Sequence, residues 1–472
     1  FDHMLGFSGI EGTDAQTGEH TKLAGLTGAE SNVYDGRSYP VARGAEVSMP
    51  LDPLHEFPDV VVQLAGAGAA YPHGGPYPPI DNSGFASSYV TAGGQADPGQ
   101  IMRCYTAEQL PVLNTLATQF AVCDAWHSSM PGPTWPNRFF AMAASAGGLD
   151  RSPDGMEILQ WEFDSGFAFE HGSLFDALRA DGHNWRVYRG DVGPISGGLP
   201  IAGALEGVHL LLDTFRYSRF AEDLHGEYPY ALTWIEPNYG SALEDTYKGG
   251  TSQHPVDAVT GGEWLIKDTY EALRNSPLWN DSLLIVAWDE HGGFYDHVEP
   301  TEAPKPGDKI VTSGPVNQFG FSFDRYGVRV PAVIASPYIP AGLIDHRLYD
   351  HASIPATVEA LLGLVPLTAR DARAANVTSL LRLSGPRETP TELPVPSGPR
   401  PAIVSAPLPP ERAAEPITNG NLAGFLHVAL RVELQMAPPE QHPAILARVG
   451  QLRTRGEALA YIEEMAGRLN GS

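Results

Sequence analysis

The apolar run Ser282-Leu283-Leu284-Ile285-Val286-Ala287-Trp288 passes directly into Asp289-Glu290-His291-Gly292-Gly293-Phe294-Tyr295-Asp296-His297, and no other stretch constrains the fold as much. A short continuous apolar run behind a helix-period segment reads as a strand buried on both faces, which belongs in a mostly parallel α/β sheet. Ligands in such sheets collect at the carboxyl ends of the strands, so Asp289 and Glu290 are expected at the functional edge. Gly292 and Gly293 allow a sharp turn and a close approach of backbone to ligand. Adjacent carboxylates repel, and a divalent cation relieves that repulsion. A solvated acidic loop is the plainer explanation, and the flanking histidines and glycines weigh against it.

A second run, from Cys123 to Arg138, reads as a rigid nucleophile turn. Pro131, Pro133 and Pro136 restrict the backbone around Thr134, so a hydroxyl can be aimed there with little ordering entropy left to lose. The segment Arg138–Ser145 is expected to be helical, and its start offers free N–H groups to an anion. Arg138 supplies a guanidinium fork for phosphate, and Asn137 a side-chain donor. A threonine hydroxyl is a weak nucleophile alone, and a metal held by Asp289 and Glu290 would activate it. Taken alone, a proline-rich turn with one threonine is usually only a turn. The acidic run is what changes that reading.

Five further motifs join these two: Phe1-Asp2-His3-Met4-Leu5-Gly6, Asp52-Pro53-Leu54-His55-Glu56, Trp234-Ile235-Glu236-Pro237, His254-Pro255 with Gly262-Glu263, and Tyr349-Asp350-His351-Ala352-Ser353. In content and order, from Phe1 to about Leu381, the chain resembles the phosphoesterase family of non-zinc (non-specific) phospholipases C and related acid phosphatases, within the alkaline-phosphatase-like superfamily. The resemblance implies hydrolysis of a phosphate ester through a hydroxyl nucleophile held on a metal. Thr134 stands at the nucleophile position, Asp289 and Glu290 at metal-ligand positions beside it, and His254 at an active-site histidine. The expected activity is that of a phospholipase C releasing diacylglycerol and a phosphorylated head group through a phosphothreonine intermediate. An acid phosphatase acting on monoesters needs the same core and is the alternative.

Members of the family carry Glu-Asn-Arg-Ser just before the Phe-Asp-His motif, and that Glu and Asn complete the metal site. This sequence begins at Phe1, so it reads as a fragment or processed chain without those two ligands. An inactive truncated binding module is the corresponding reading outside the enzymes. Oxygen-only ligands favour Ca²⁺ or Mg²⁺ over Zn²⁺ for the one divalent ion expected. Ser252-Gln253 stands before His254 where many relatives have acidic residues, which alters the charge around that histidine. Relatives are often exported, which implies an extracellular or periplasmic location.

His254 heads a loop into the expected helix Gly262–Leu273, from where it can protonate a leaving group or clamp a phosphate oxygen. Capping that helix is its bland role. His55, His127, His297 and His351 are weaker candidates for substrate contact, and His127, His291 and His297 can equally orient carboxylates. The Asp296–His297 pair reads as well structurally as functionally.

The 472 residues, 42% of them hydrophobic and 18% charged, can bury a sizeable core. A formal charge of −26 argues against a nucleic-acid partner and against capture by an anionic membrane. A phospholipid substrate would therefore be zwitterionic or reached through apolar contact, with a small phosphate ester as the other candidate. No run reaches the roughly 18 apolar residues of a transmembrane helix. Cys104 and Cys123 flank a helix-period stretch, Ala107–Ala117, and read equally as one disulfide or two buried thiols.

Residues 25–100, rich in Gly, Pro, Ser and Tyr, read as long loops that shape the substrate site. Beyond them a helix at Ser173–Ala180 and strands at Trp185–Tyr188, Ala231–Ile235, Ser282–Trp288 and Ala332–Ala335 argue for a three-layer α/β/α sandwich. The expected organisation is a catalytic domain over 1–385, a Pro-rich linker over 386–419, and a small helical C-terminal appendage over 420–472. Amphipathic spacing in that appendage points to packing on the core, with lipid docking as a lesser reading.

Overall fold

Period-two alternation builds the centre of the protein. The computed structural model describes residues 1–94, 96–154, 166–190, 198–241, 247–309, 316–402, 408–418 and 420–471. The strands that matter here are β1 (Glu11–Asp14), β2 (His20–Lys22), β3 (Ala121–Cys123), β4 (Asn184–Arg189), β5 (Thr214–Arg216), β6 (Tyr230–Ile235), β7 (Leu284–Ala287), β8 (Ala332–Ala335) and β9 (Leu343–Asp345). The helices are α1 (Phe57–Ala65), α2 (Pro111–Gln119), α3 (Thr134–Ala143), α4 (Val259–Arg274), α5 (Ser353–Leu362), α6 (Asn421–Met436) and α7 (Arg455–Gly471).

A six-stranded sheet runs in the order β7-β8-β3-β9-β1-β2. Val122, Val333, Ala335 and Ile344 point to one face, where they meet Leu113 and Leu116 of α2 and Ile266 and Tyr270 of α4. Ala121, Cys123, Ala332, Ile334 and Leu343 point to the other and meet Val377, Leu380 and Ile354 of α5. Alternating residues thus bury both faces, and the α/β/α sandwich follows.

The sheet is mixed, not mostly parallel as expected. β9 pairs in parallel with β3 and with β1, whereas β7–β8, β8–β3 and β1–β2 are antiparallel. β7 is an edge strand and half-buried, where the apolar run suggested full burial. β4 and β6 also leave the expected sheet and form a separate parallel one with β5, in the order β6-β4-β5. β6 and β7 border a common cavity of ≈ 850 Å³, which keeps the β7 side chains half-open. An apolar run reports what covers a strand's faces and carries no information on which strand lies at its edge.

The helix at Leu174–Ala180 forms as expected and is opened by a Ser173/Asp176 capping box. α2 starts later than the helix-period stretch suggested, with Pro111 in its first turn, where a missing N–H costs nothing. Its first turn is capped from outside: the Glu263 carboxylate of α4 accepts the Val112 and Leu113 N–H groups at 2.8 and 2.9 Å. Burial, only partly offset by those bonds, pushes the Glu263 carboxyl up to about 7. A carboxyl with a folded pKa above its unfolded value binds more protons when folded. Its contribution is therefore full below about pH 4.5 and is lost as pH rises to about 7. In urea titrations the Glu263→Gln variant should lose less stability than the parent across that window, the difference being on the order of 2 kcal/mol. Equal slopes would refute the assignment.

α6 and α7 pack on the body of the protein. Leu422, Phe425, Leu426 and Val428 of α6 share one apolar cluster with Trp135 and Phe139 of α3. Within the expected linker, residues 403–407 and 419 lie outside the described residues, while Pro390 and Leu393 accept hydrogen bonds from Tyr270 and Lys267 of α4. Cys104 and Cys123 are both free and buried, which raises both thiols well above their usual range. No helix among the described residues is long and apolar enough to cross a membrane.

Candidate active site

α3 begins at Thr134 itself, four residues before the expected start. Pro133, extended at φ −78° and ψ −179°, delivers the chain into the helix without a side-chain cap, so the first-turn N–H groups are left for an anion. Thr134 and Arg138 are the half-buried residues of an otherwise buried helix. Their i, i+4 spacing puts them on one face, and both line a small cavity together with Asp289, Glu290, His254, Tyr247 and Trp288.

Arg138 is held on three sides. Its Nε donates to Asp289 Oδ2 at 3.1 Å, and its Nη1 donates to the Tyr239 hydroxyl at 2.7 Å and lies 3.7 Å from Glu236 Oε2. Glu236 is itself fixed by the Ile201 and Ala202 N–H groups and by Tyr239.

The acidic loop is pinned by its glycines. Gly292 and Gly293 adopt φ +64° and +74°. A Cβ at Gly292 would lie 2.8 Å from Pro255 Cγ, and one at Gly293 would lie 2.7 Å from Pro53 Cβ and 2.8 Å from the Leu54 carbonyl oxygen. Close backbone packing therefore brings three motifs, around Asp52–His55, His254–Pro255 and Asp289–Gly293, to one place. Gly293→Ala combines a left-handed backbone with overpacking, and should cost about 2–4 kcal/mol in urea unfolding. A cost under about 1 kcal/mol would show that the loop yields.

Glu290 is buried and accepts the Gly292 N–H at 2.7 Å. Burial, with the neighbouring Asp289 charge, pushes its carboxyl up to about 7 against the pull of His55. His55 bonds the Pro53 carbonyl at 2.7 Å. Burial opposes its charge, but Glu290 and Asp52 outweigh that and hold its imidazolium up to about 9. His254 behaves oppositely: burial and the charge on His55 drive it well below its ordinary value, so the free protein holds it neutral. Its ring lies 3.4 Å from that of Tyr247, with planes within 3°, and its Nε2 is 3.6 Å from Asp52 Oδ2. Asp52, His55 and His254 could also gather round a cation, with one ligand atom from each inside 4.8 Å.

The sequence profile of the Phosphoesterase family matches residues 1–365. The chain belongs to the phosphoesterase family. It is 30% identical to non-specific phospholipase C6 of Arabidopsis thaliana over 98% of this chain and 83% of that protein. It is 31% identical to non-specific phospholipase C3 of the same plant, over 84% of this chain and 73% of that one. Phospholipase C B of Mycobacterium tuberculosis is 28% identical over 60% of this chain and 57% of its own length. The protein is thus a hydrolase acting on phosphoric ester bonds.

Several residues expected at the site of this phosphoesterase support it from outside. Asn137 is buried, with its amide committed to the Met130, Gly132 and Pro133 carbonyls and to the Met130 N–H, so it shapes the turn before Thr134 and leaves no donor for phosphate. His351 donates through Nε2 to the Asp289 carbonyl at 2.6 Å and orients the acidic loop. His127 is buried against the Gly327 carbonyl, and burial lowers it to about 4. His297 bonds Asp2 at 2.6 Å. His55, His127, His297 and His351 all stay off the wall of the small cavity, and His55 acts on it through its charge on Glu290 and its edge contact with His254. Tyr247 and Asn421 do line it, and no local pattern marked either one.

Proposed function

We propose that this phosphoesterase is a phospholipase C that uses Thr134 as its nucleophile. What carries the reading is that Thr134 and Arg138, on one helix face, share a cavity with two adjacent carboxylates and with a histidine whose ring nitrogens have no hydrogen-bond partner. The cavity wall includes Trp288, Tyr239 and Tyr247, which suit the apolar and zwitterionic parts of a phospholipid. Asp289, Glu290 and the Thr134 hydroxyl form an oxygen donor set that suits a divalent cation, Ca²⁺ or Mg²⁺ before Zn²⁺. Burial and the neighbouring Asp289 charge push the Glu290 carboxyl up even with His55 beside it, and a cation there would relieve that repulsion. When bound, such an ion supplies a lowered Thr134 hydroxyl pKa and a counter-charge for phosphate.

The chain's own groups do the rest. First-turn N–H groups of α3 and the Arg138 guanidinium hold the phosphate oxygens as Thr134 Oγ1, its proton given up to solvent, attacks phosphorus. The entering anion favours the imidazolium form of His254, which gives its proton to the glycerol oxygen as the P–O bond breaks. Neutral His254 then takes a proton from the water that releases the phosphorylated head group from Thr134, and gives that proton up to solvent as the product anion leaves, which returns the enzyme to its starting state. Asn137 and His351 hold the nucleophile turn and the acidic loop in register. The setting is extracellular or periplasmic, as for exported relatives.

The test is release of phosphocholine from phosphatidylcholine, and of phosphate from a small monoester, across added divalent metals. Diester cleavage that Thr134→Ala abolishes supports the reading. Turnover of the monoester alone reassigns the protein as a phosphatase, and silence on both substrates sinks the proposal.

A further inference from the structure

α6 carries a residue into the cavity. Asn421, its first residue, accepts a hydrogen bond from Trp135 Nε1 at 2.9 Å and donates one to the Tyr247 hydroxyl. Trp135 directly follows Thr134 in α3, and Tyr247 is the ring stacked face to face on His254. Among the described residues neither ring nitrogen of His254 has a hydrogen-bond partner, Nε2 lying 3.6 Å from Asp52 Oδ2. Its orientation therefore comes from packing: the Tyr247 face on one side and the edge of His55, 5.5 Å away, on the other. Tyr247 sits at φ +52°, a left-handed backbone that a bulky side chain adopts only when its surroundings hold it there. The Asn421 amide is part of that hold.

We infer that Asn421 is a positioning residue for phosphoester cleavage: by bridging Trp135 and Tyr247 it fixes the ring of His254 relative to the hydroxyl of Thr134. The inference rests on the role proposed above for His254. It makes α6 a component of the active site. A residue placed there only to begin a helix would affect stability and leave the geometry of His254 alone.

The test compares Asn421→Ala, Tyr247→Phe, the double variant and Asn421→Asp. Misplacing a proton donor by a fraction of an ångström lowers the chemical step, so each of the first two should reduce kcat about tenfold or more with little change in KM. The double variant should be no worse than either single one, because both remove the same link. Asn421→Asp should recover most of the loss, since its carboxylate can accept from Trp135 and from the Tyr247 hydroxyl together. A second readout is independent of turnover: the carbon-bound protons of His254, shifted upfield by the stacked Tyr247 ring, should move downfield in Asn421→Ala and return in Asn421→Asp. Losses that multiply in the double variant, a change confined to KM, or unmoved His254 resonances overturn the inference. His254→Asn tells the two levels apart. If it abolishes turnover while Asn421→Ala is silent, the inference alone fails; if it is silent, the proposed role of His254 fails and the inference with it.

Discussion

Thr134→Ala is expected to lower kcat/KM for the cleaved phosphate ester by about 10⁴-fold or more, with the thermal midpoint almost unchanged. The size follows from the proposed route, in which every turnover passes through a bond to Thr134 Oγ1, while the other hydroxyls that line the cavity, on Tyr105, Tyr239, Tyr247 and Ser252, lie outside α3. Stability should hold because Thr134 is half-buried at the first position of the helix and makes no side-chain cap that alanine would remove. Acid quenching during turnover should trap phosphate on Thr134 in the parent and none in the variant. Arg138→Ala gives the matching control. It frees Asp289 and removes a phosphate donor, and a loss of about 10²–10³-fold is expected, smaller than that of the nucleophile. Equal activity in parent and Thr134→Ala would refute the mechanism outright.

Arg329→Met should destabilise the protein by about 3–5 kcal/mol in urea unfolding, more than the glycine substitution in the acidic loop. Arg329 is almost fully buried, with Nε on Asp296 Oδ1 at 2.9 Å, Nη2 on Asp2 Oδ1 at 3.0 Å, and Nη1 on the Ala24 and Asp124 carbonyls. Removing it takes from two buried carboxylates the guanidinium they share. In the parent, burial works against the Asp296 charge but Arg329 outweighs it and holds the carboxyl well below the usual range. Asp2 is pushed upward, by burial and by Asp296. Asp296 therefore contributes stability above about pH 4, lost as pH falls below that value. Without Arg329 the main charge opposing burial is gone, so the variant should lose less stability than the parent on acidification. Adding Asp2→Asn and Asp296→Asn should restore part of the loss, because the cost lies in uncompensated charge more than in lost attraction. Asp2, Asp296 and His297 place ligand atoms within 4.8 Å of one another, but Arg329 already neutralises that cluster. The Asp296–His297 pair is thereby a structural tie between the N-terminal motif and the end of the acidic loop.

Local chemistry along the chain determined much of this protein. The continuous apolar run Ala332–Ala335 is enough for a strand covered on both faces. Three prolines around Thr134 and the Gly292–Gly293 pair set backbone shapes with no outside help. Carboxylates placed directly after a strand mark the edge where a cavity opens, and Thr134, Arg138, His254, Asp289 and Glu290 do meet there. What only the tertiary structure decided was which polar group each side chain would satisfy. Asn137 had the chemistry of a phosphate donor, yet folding buried it under its own turn, where three carbonyls lacked partners. His351 met the Asp289 carbonyl across 62 residues, and His297 met Asp2 across 295. Strand order was equally beyond local reach, since pairing of β7 with β8 and departure of β6 to a second sheet depend on edges that side-chain polarity does not encode. Tyr247 and Asn421 lie 174 residues apart and join the site through one hydrogen bond. Burial makes an unmet polar group costly, so each one takes the partner that packing brings within reach, and sequence spacing does not tell which partner that is.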